Sequence, residues 1–186
     1  MARPNNLYLI TGMPAAGKST FARELAQRVR ACLIDIDTCT ENVVQAAMKQ
    51  LTGDPDDRDS QRFKETFRSP IYDTLFAIAD ENLLHTHAII TGPFTKELRN
   101  PQWPQEIQAR LSTPCIIKCV FVHCDHQLRK KRLVERGNPR DNAKLKDWEA
   151  FLQYYEQDAF PEYPHLRVDT GQSDPFEKAI RDGLLD

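Results

Sequence analysis

Short apolar runs alternate along the chain with longer segments in which apolar residues recur at helical spacing. Runs of four to eight apolar residues predict buried strands over 7–11, 32–36, 88–91, 115–122 and 166–169. Helical periodicity predicts helices over 17–30, from Thr38 or Thr40 to 51, over 71–84, 106–111, 127–136 and 145–155, and after 169. Strands that alternate with helices predict an α/β fold, in which helices cover both faces of a parallel sheet.

The ends of the predicted strands carry the polar residues that matter most for function. In an open parallel sheet, ligands bind beyond the carboxyl ends of the strands. Three such ends therefore become candidate parts of a site: Thr11-Gly12, Asp35-Ile-Asp37 and Thr91-Gly92-Pro93. The most polar stretch, 52–60, predicts a mobile loop between two helices of the same fold.

Composition narrows the class of protein. The 186 residues fit one domain, 1–186, that can bury a core. A net charge of -2 gives no general attraction for nucleic acid or anionic membranes, although a local basic patch at 130–132 leaves nucleic acid open. No apolar run reaches the roughly 20 residues that span a bilayer. The five cysteines are odd in number, which favours reduced thiols in a cytoplasmic protein. The protein is expected to be a monomer or a homodimer.

A phosphate-binding loop is the most specific motif in the sequence. The pattern G-x-x-x-x-G-K-S follows the first predicted strand and opens the first predicted helix, as a P-loop requires. The glycines let backbone N–H groups turn toward phosphate oxygens, and the helix N-terminus adds its positive dipole end. Lys18 is expected at the β- and γ-phosphates, Ser19 at Mg²⁺ and Thr20 near the α-phosphate. The nucleotide-binding residues are thus predicted to be Gly12, Met13, Pro14, Ala15, Ala16, Gly17, Lys18, Ser19 and Thr20.

With this motif and the order of its elements, the chain resembles the small P-loop kinases: shikimate and gluconate kinases, chloramphenicol phosphotransferase-like enzymes and the kinase domain of polynucleotide kinase. The resemblance covers nearly the whole chain. It implies a three-layer P-loop fold with a five-stranded parallel sheet in the order 2-3-1-4-5. It also implies a substrate-binding helical region at about 38–84, an arginine-bearing LID at about 132–146, and ATP and Mg²⁺ as cofactors.

The resemblance gives roles to the two aspartates after the second strand. Asp35 is implied to orient Mg²⁺, and Asp37 to contact the acceptor hydroxyl and take its proton. A carboxylate within hydrogen-bond reach of that hydroxyl can accept the proton late in the transfer. Asp37 can also be read as a helix N-cap and Asp35 as an ordinary acid at a strand end. Gly92 stands where many P-loop proteins carry a metal-binding acid, so the predicted metal site is Ser19 and Asp35, and the backbone of Gly92 is expected to face the substrate.

Arginines after the fourth strand are the next candidates. Arg132 and Arg136 lie four residues apart and share a helix face. The resemblance implies that they act on the phosphates and the transition state, where guanidinium groups suit the spreading negative charge. Arg140 follows a Gly-Asn-Pro break and is a candidate substrate contact, as is Arg68 in a Phe-Arg context. The alternatives are a solvated basic helix face and a surface arginine. Thr170 is expected in the adenine-side loop, or in a simple turn.

These features together predict an ATP-dependent kinase. It would move the γ-phosphoryl group, with the assistance of Mg²⁺, to a hydroxyl or phosphate of a small molecule, with Lys18, Asp37, Arg132 and Arg136 as catalytic residues. Two alternatives stay open: a polynucleotide 5′-hydroxyl kinase, and a nucleotide-binding regulatory ATPase or switch that has no phosphoryl acceptor. The sequence does not name the acceptor.

Overall fold

The computed structural model describes residues 3–58, 60–156 and 160–186. The strands are β1 (Asn6–Gly12), β2 (Cys32–Asp35), β3 (Ala88–Thr91), β4 (Ile116–His123) and β5 (Leu166–Asp169). The helices are α1 (Lys18–Val29), α2 (Ile36–Thr52), α3 (Gln61–Leu83), α4 (Trp103–Arg110), α5 (His126–Arg136), α6 (Asn142–Lys146), α7 (Trp148–Glu156) and α8 (Pro175–Arg181). Short 3₁₀ turns lie at Glu97–Arg99 and Pro139–Asp141.

The five strands form one parallel sheet in the order β2-β3-β1-β4-β5. This order confirms the fold that the resemblance implied. Strand β1 lies at the centre, where Leu7 pairs with Ala88 of β3 on one side and with Ile117 of β4 on the other. Strand β3 lies between β2 and β1, and all three strands are parallel. Their carboxyl ends therefore meet at one edge of the sheet.

Helices cover both faces of this sheet. Alternate residues of β1 point to opposite faces: Leu7 and Leu9 pack into a core with α2, α3 and α4, whereas Tyr8 and Ile10 pack into a core with α1 and α8. All seven residues of β1 are buried. With both faces covered, the strand ends are where the sheet meets solvent, and polar residues there can form a site.

Helix α2 begins earlier than the sequence indicated. Asp35 caps the helix, because its Oδ1 accepts hydrogen bonds from the backbone N–H groups of Asp37 at 3.0 Å and of Thr38 at 3.3 Å. The predictions of a strand through Ile36 and of a cap at Thr38 or Thr40 were therefore wrong, and so was the alternative of Asp37 as the cap. Asp37 lies in the first turn of the helix.

Helix α3 is ten residues longer at its start than predicted. It begins at Gln61, capped by Ser60, and contains Pro70. A proline removes one backbone donor, but the burial of Phe63 and Phe67 against the core compensates for that loss. Arg68 consequently lies within the helix and not before it. The predicted helix 145–155 is also divided into α6 and α7, since Asp147 leaves helical geometry between them.

Candidate active site

The loop between β1 and α1 has the backbone geometry of a phosphate cradle. Gly12 has a φ of 142°, and a Cβ atom there would lie 1.9 Å from the carbonyl oxygen of Val122 in β4. Gly17, at a φ of 93°, precedes α1, and no side chain caps this helix. The N–H groups of the first turn are therefore available to an anion, which the helix dipole also favours.

Lys18 reaches back across this loop. Its ammonium group donates hydrogen bonds of 2.9 Å to the carbonyl oxygens of Gly12 and Met13. Burial lowers the pKa of Lys18 to about 8, although the nearby carboxylates of Asp37 and Asp35 oppose the shift. A phosphate in the cradle would bring negative charge to this buried ammonium and favour its protonated form.

Asp35 connects the P-loop to the acidic end of β2. Its Oδ2 accepts a hydrogen bond of 2.7 Å from the hydroxyl of Ser19, while its Oδ1 caps α2. A serine hydroxyl beside a carboxylate is a pair of hard oxygen donors, and Mg²⁺ commonly takes one or two protein oxygens together with water and phosphate. The residues Ser19 and Asp35 thus fit the magnesium ion that the fold implies.

Asp37 forms a two-point ion pair with Arg140. Nη2 of the arginine lies 2.7 Å from Oδ2 of the aspartate, and Nη1 lies 3.2 Å from Oδ1. Burial raises the pKa of Asp37, but the hydrogen bonds and charge of Arg140, with the charges of Lys18 and Arg58, outweigh it. The pKa of this carboxyl therefore lies below its ordinary value. Asp37 is half exposed, so solvent screens part of this interaction.

Glu41 and Arg58 adjoin this pair, and the sequence analysis missed both. Oε2 of Glu41 lies 3.0 Å from Nη1 of Arg140 and 3.0 Å from Nη2 of Arg58. Glu41 lies four residues after Asp37 and therefore on the same face of α2. This spacing was the available signal for Glu41. Arg58 had none, because it lies in the polar stretch that predicted only a mobile loop.

The other two LID arginines have different partners. Arg136 binds Oδ2 of Asp141 through both Nε, at 2.9 Å, and Nη2, at 2.5 Å. Asp141 is fully buried, and its Oδ1 lies 3.1 Å from the ammonium of Lys144. Arg136 is thereby tied within its own segment.

Arg132 connects three parts of the nucleotide side. Its Nη1 donates to the hydroxyl of Thr170 at 2.9 Å and its Nη2 to the carbonyl of Thr170 at 3.0 Å. That hydroxyl in turn donates to the carbonyl of Ala16 in the P-loop at 2.6 Å. Arg132 and Thr170 therefore hold the loop after β5 against the P-loop.

Arg68 and Gly92 are two of the residues predicted to contact the substrate, and both line the cleft. Arg68 forms an ion pair of 2.7 Å with Glu97, and its guanidinium lies over the ring of Tyr72. Gly92 donates its N–H to the carbonyl of Ile10, and a Cβ atom at Gly92 would lie 3.1 Å from the buried ring of Phe94. Because glycine has no side chain, space remains beside Gly92 at the end of β3.

A cavity of about 660 Å³ is lined by the P-loop, the end of β2 and the start of α2, and by Arg68 and Gly92. It brings together most of the predicted site residues: Pro14, Ala15, Gly17, Lys18, Ser19, Thr20, Asp35, Asp37, Arg68, Gly92, Arg132, Arg136 and Arg140. The remaining predicted residues do not line the cavity: Gly12, Met13, Ala16 and Thr170. Nine lining side chains are cationic and three are acidic: Lys18, Arg23, Arg58, Lys64, Arg68, Arg132, Arg136, Arg140 and Lys144 against Asp35, Asp37 and Asp56. A chain whose net charge is -2 therefore concentrates positive charge where phosphates are expected.

The sheet order, the P-loop and the acidic end of β2 define a small P-loop kinase. The chain belongs to the AAA domain family, which it matches over residues 7–157. In the part of the chain that the structure describes, no helix has the length and apolar character needed to cross a membrane.

Three relatives agree with this class. The chain is similar to a shikimate kinase of Bacillus cereus (strain G9842), with 25% identity over 162 residues that cover 87% of this chain and 86% of the relative. Among solved structures, a provisionally assigned kinase from Chloroflexus aurantiacus J-10-fl has a TM-score of 0.64 at 18% identity, covering 97% of this chain and 98% of that one. A sugar kinase from Janibacter sp. HTCC2649 has a TM-score of 0.62 at 19% identity, covering 97% and 93%. At these identities the two structures support the fold.

Proposed function

We propose that the protein is an ATP-dependent phosphotransferase that moves the γ-phosphoryl group to a hydroxyl or phosphate of a small molecule. The observation that carries the proposal is that Lys18 and Asp37 line the same cavity, close enough for the charge of Asp37 to act on the ammonium of Lys18. The expected phosphate-binding cation and the expected acceptor-side carboxylate would then share one cleft. The kinase names of the relatives support the reaction class.

The P-loop would bind the triphosphate. The open N–H groups before and within the first turn of α1 would donate to phosphate oxygens, and Lys18 would exchange its two carbonyl partners for the β- and γ-phosphates. Ser19 and Asp35 would hold Mg²⁺, which would supply positive charge to offset the negative charge of the phosphates.

Asp37 would act on the acceptor. The acceptor oxygen forms a bond to the γ-phosphorus, the bond from that phosphorus to the β,γ-bridging oxygen breaks, and ADP leaves with the bonding electrons. The hydroxyl proton passes to Asp37. The Asp37 carboxylate is ionised at neutral pH, so it can orient the hydroxyl and accept its proton late.

The arginines would bind the nucleotide, the transferring phosphoryl group and the substrate. Arg132 would fix the nucleotide side through Thr170, and Arg136 and Arg140 would turn from their carboxylate partners to the transferring phosphoryl group. On the acceptor side, Arg68 and the backbone at Gly92 would contact the substrate. The cavity volume of about 660 Å³ falls within the range of small-molecule sites and suits a nucleotide together with a small acceptor.

Incubation with Mg·ATP and a panel of sugars, sugar acids, nucleosides, nucleotides and antibiotics tests the proposal. At least one acceptor should be phosphorylated well above the rate of ATP hydrolysis by water. Asp37→Asn should lose this transfer and still bind ATP. If no acceptor exceeds water, and Asp37→Asn behaves as the parent protein does, a regulatory ATPase describes the protein better.

A further inference from the structure

Glu41 holds two arginines that come from distant parts of the chain and line the same cavity. The same oxygen, Oε2, lies 3.0 Å from Arg58, in the loop before α3, and 3.0 Å from Arg140, after α5. The three side chains are between 17% and 26% exposed, whereas Asp37 is 54% exposed. Water therefore screens the contact between Arg140 and Glu41 less than the contact between Arg140 and Asp37.

The carboxylate of Glu41 is fixed from its other side as well. Oε1 accepts a hydrogen bond of 3.2 Å from the amide of Gln45, which also donates to Asp56 at 3.3 Å. The backbone carbonyl of Glu41 accepts from Arg58 at 3.4 Å. Both oxygens of Glu41 are thus occupied and oriented, which distinguishes this group from an isolated surface ion pair.

These contacts commit Arg140 to the acceptor side of the cleft. Its Nη1 is shared between Asp37 and Glu41, and its Nη2 binds Asp37 again. The same guanidinium lines the cavity that holds Lys18. For Arg140 to reach a phosphate, its contacts with Asp37 and Glu41 must break. The free energy lost with these contacts opposes nucleotide binding.

We propose that Glu41 is a positioning residue that keeps Arg140 on Asp37 while the nucleotide site is empty. The inference rests on the proposed function, because it concerns when Asp37 becomes available to the acceptor. Nucleotide binding draws Arg140 from both carboxylates. Asp37 then loses both hydrogen bonds from Arg140, and its two carboxylate oxygens become available to the acceptor. Glu41 thereby couples occupation of the P-loop to the readiness of the acceptor site.

Titration with a fluorescent ATP analogue in the presence of Mg²⁺ tests this coupling. Glu41→Gln keeps the shape of the side chain and removes its charge, so the analogue should bind about fivefold more tightly than to the parent protein. Arg140→Ala should weaken binding. In the Arg140→Ala background, Glu41→Gln should gain at most about twofold, the part due to general loss of negative charge.

The control is Glu65→Gln. Glu65 is exposed on α3 and does not line the cavity, and among the described residues its side chain bonds to Gln61 of the same helix. Its affinity for the analogue should equal that of the parent protein. Glu41→Asp provides a second variant, since a shorter carboxylate cannot reach both guanidinium groups and should also tighten binding. Thermal unfolding establishes that each variant is folded.

Two results would overturn the proposal: unchanged or weaker binding by folded Glu41→Gln and Glu41→Asp, or an equal gain with and without Arg140. Because the measurement is nucleotide binding, it does not depend on an acceptor. Intact coupling in a protein that phosphorylates nothing would count against the proposed function alone, and transfer without coupling would count against Glu41 alone.

Discussion

The hydroxyl of Ser19 donates a hydrogen bond of 2.7 Å to Oδ2 of Asp35, and so joins the first turn of α1 to the end of β2. The other oxygen of the same carboxylate caps α2. One side chain therefore sets the position of the P-loop serine and the start of the helix that carries Asp37 and Glu41. The geometry of both sides of the cleft depends on Asp35.

Replacement of Asp35 by alanine and by asparagine should separate its two roles. Asparagine caps a helix about as well as aspartate, so Asp35→Asn should unfold close to the parent protein, whereas Asp35→Ala should lose about 1 kcal/mol. Both variants lack the charge of the proposed magnesium site, and both should need several-fold more Mg²⁺ for half-maximal activity. Urea denaturation and a Mg²⁺ titration of transfer measure the two effects.

The matched control is the cap of α3. Ser60→Ala removes the hydrogen bond from the N–H of Phe63 to the serine hydroxyl, far from the P-loop in sequence. It should cost a similar free energy of unfolding, about 1 kcal/mol, and leave the Mg²⁺ requirement unchanged. An equal loss of stability in Asp35→Asn and Asp35→Ala would show that capping is not the structural role of Asp35.

The sequence predicted most of the fold because its strands are short, apolar and followed by strong local signals. The P-loop pattern located the end of β1 and the start of α1 from glycines that the backbone needs. Ion-pair partners outside these motifs carried no such signal. Asp141 and Glu97 are ordinary surface residues by sequence, yet the first is fully buried against Arg136 and the second holds Arg68. Such partners are set by packing of the α3 and LID regions and not by local spacing.

The boundaries of α2 and α3 show why local rules fail in detail. Asp35, Thr38 and Thr40 are all acceptable caps, and tertiary contact decided among them, because the hydroxyl of Ser19 fixes Asp35 at the strand end. Pro70 interrupts a helical pattern by its chemistry, but Phe63 and Phe67 before it are partly buried against the core and stabilise the helix.

Nucleotide affinity should depend on pH through Lys18. Its pKa of about 8 in the free protein lies below the ordinary 10.5, so the ammonium is lost as the pH rises above about 8. Phosphates bind the charged form, and affinity should therefore be highest below that value and fall about tenfold by pH 9. Titrations of an ATP analogue between pH 6.5 and 9 measure this dependence.

Lys18→Arg supplies the control for this dependence, since a guanidinium stays charged over the whole range. Whatever its absolute affinity, its binding should change much less with pH than that of the parent protein. A parent protein whose affinity is flat to pH 9 would contradict a depressed pKa for Lys18.

The depressed pKa also means that the unfolded chain binds more protons between about pH 8 and 10.5, so the contribution of Lys18 to stability increases across that window.

Loss of the Arg132 guanidinium should detach the loop after β5 from the P-loop. Arg132→Lys keeps the charge but cannot bind the hydroxyl and the carbonyl of Thr170 together. We expect the dissociation constant for ATP to rise about tenfold, with a smaller change in the free energy of unfolding. Calorimetric titration measures the affinity. Lys131→Ala, at an exposed neighbour paired only with Glu135, should bind ATP normally, and an equal loss there would assign the effect to general charge.

Gly12 should be the least replaceable glycine of the chain, because its backbone and its neighbour both exclude a side chain. An alanine Cβ at Gly12 would lie 1.9 Å from the carbonyl oxygen of Val122, in the centre of the sheet, where β1 and β4 pair along their full length. Gly12→Ala must therefore separate two central strands, and we expect a loss of several kcal/mol in the free energy of unfolding. Gly53→Ala is the comparison: Gly53 also has a positive φ, of 81°, but nothing lies within 4 Å of its Cβ position. Backbone strain alone should cost about 1 kcal/mol there. Guanidinium denaturation of the two variants measures the difference, and equal losses would mean that β4 yields to a side chain at Gly12.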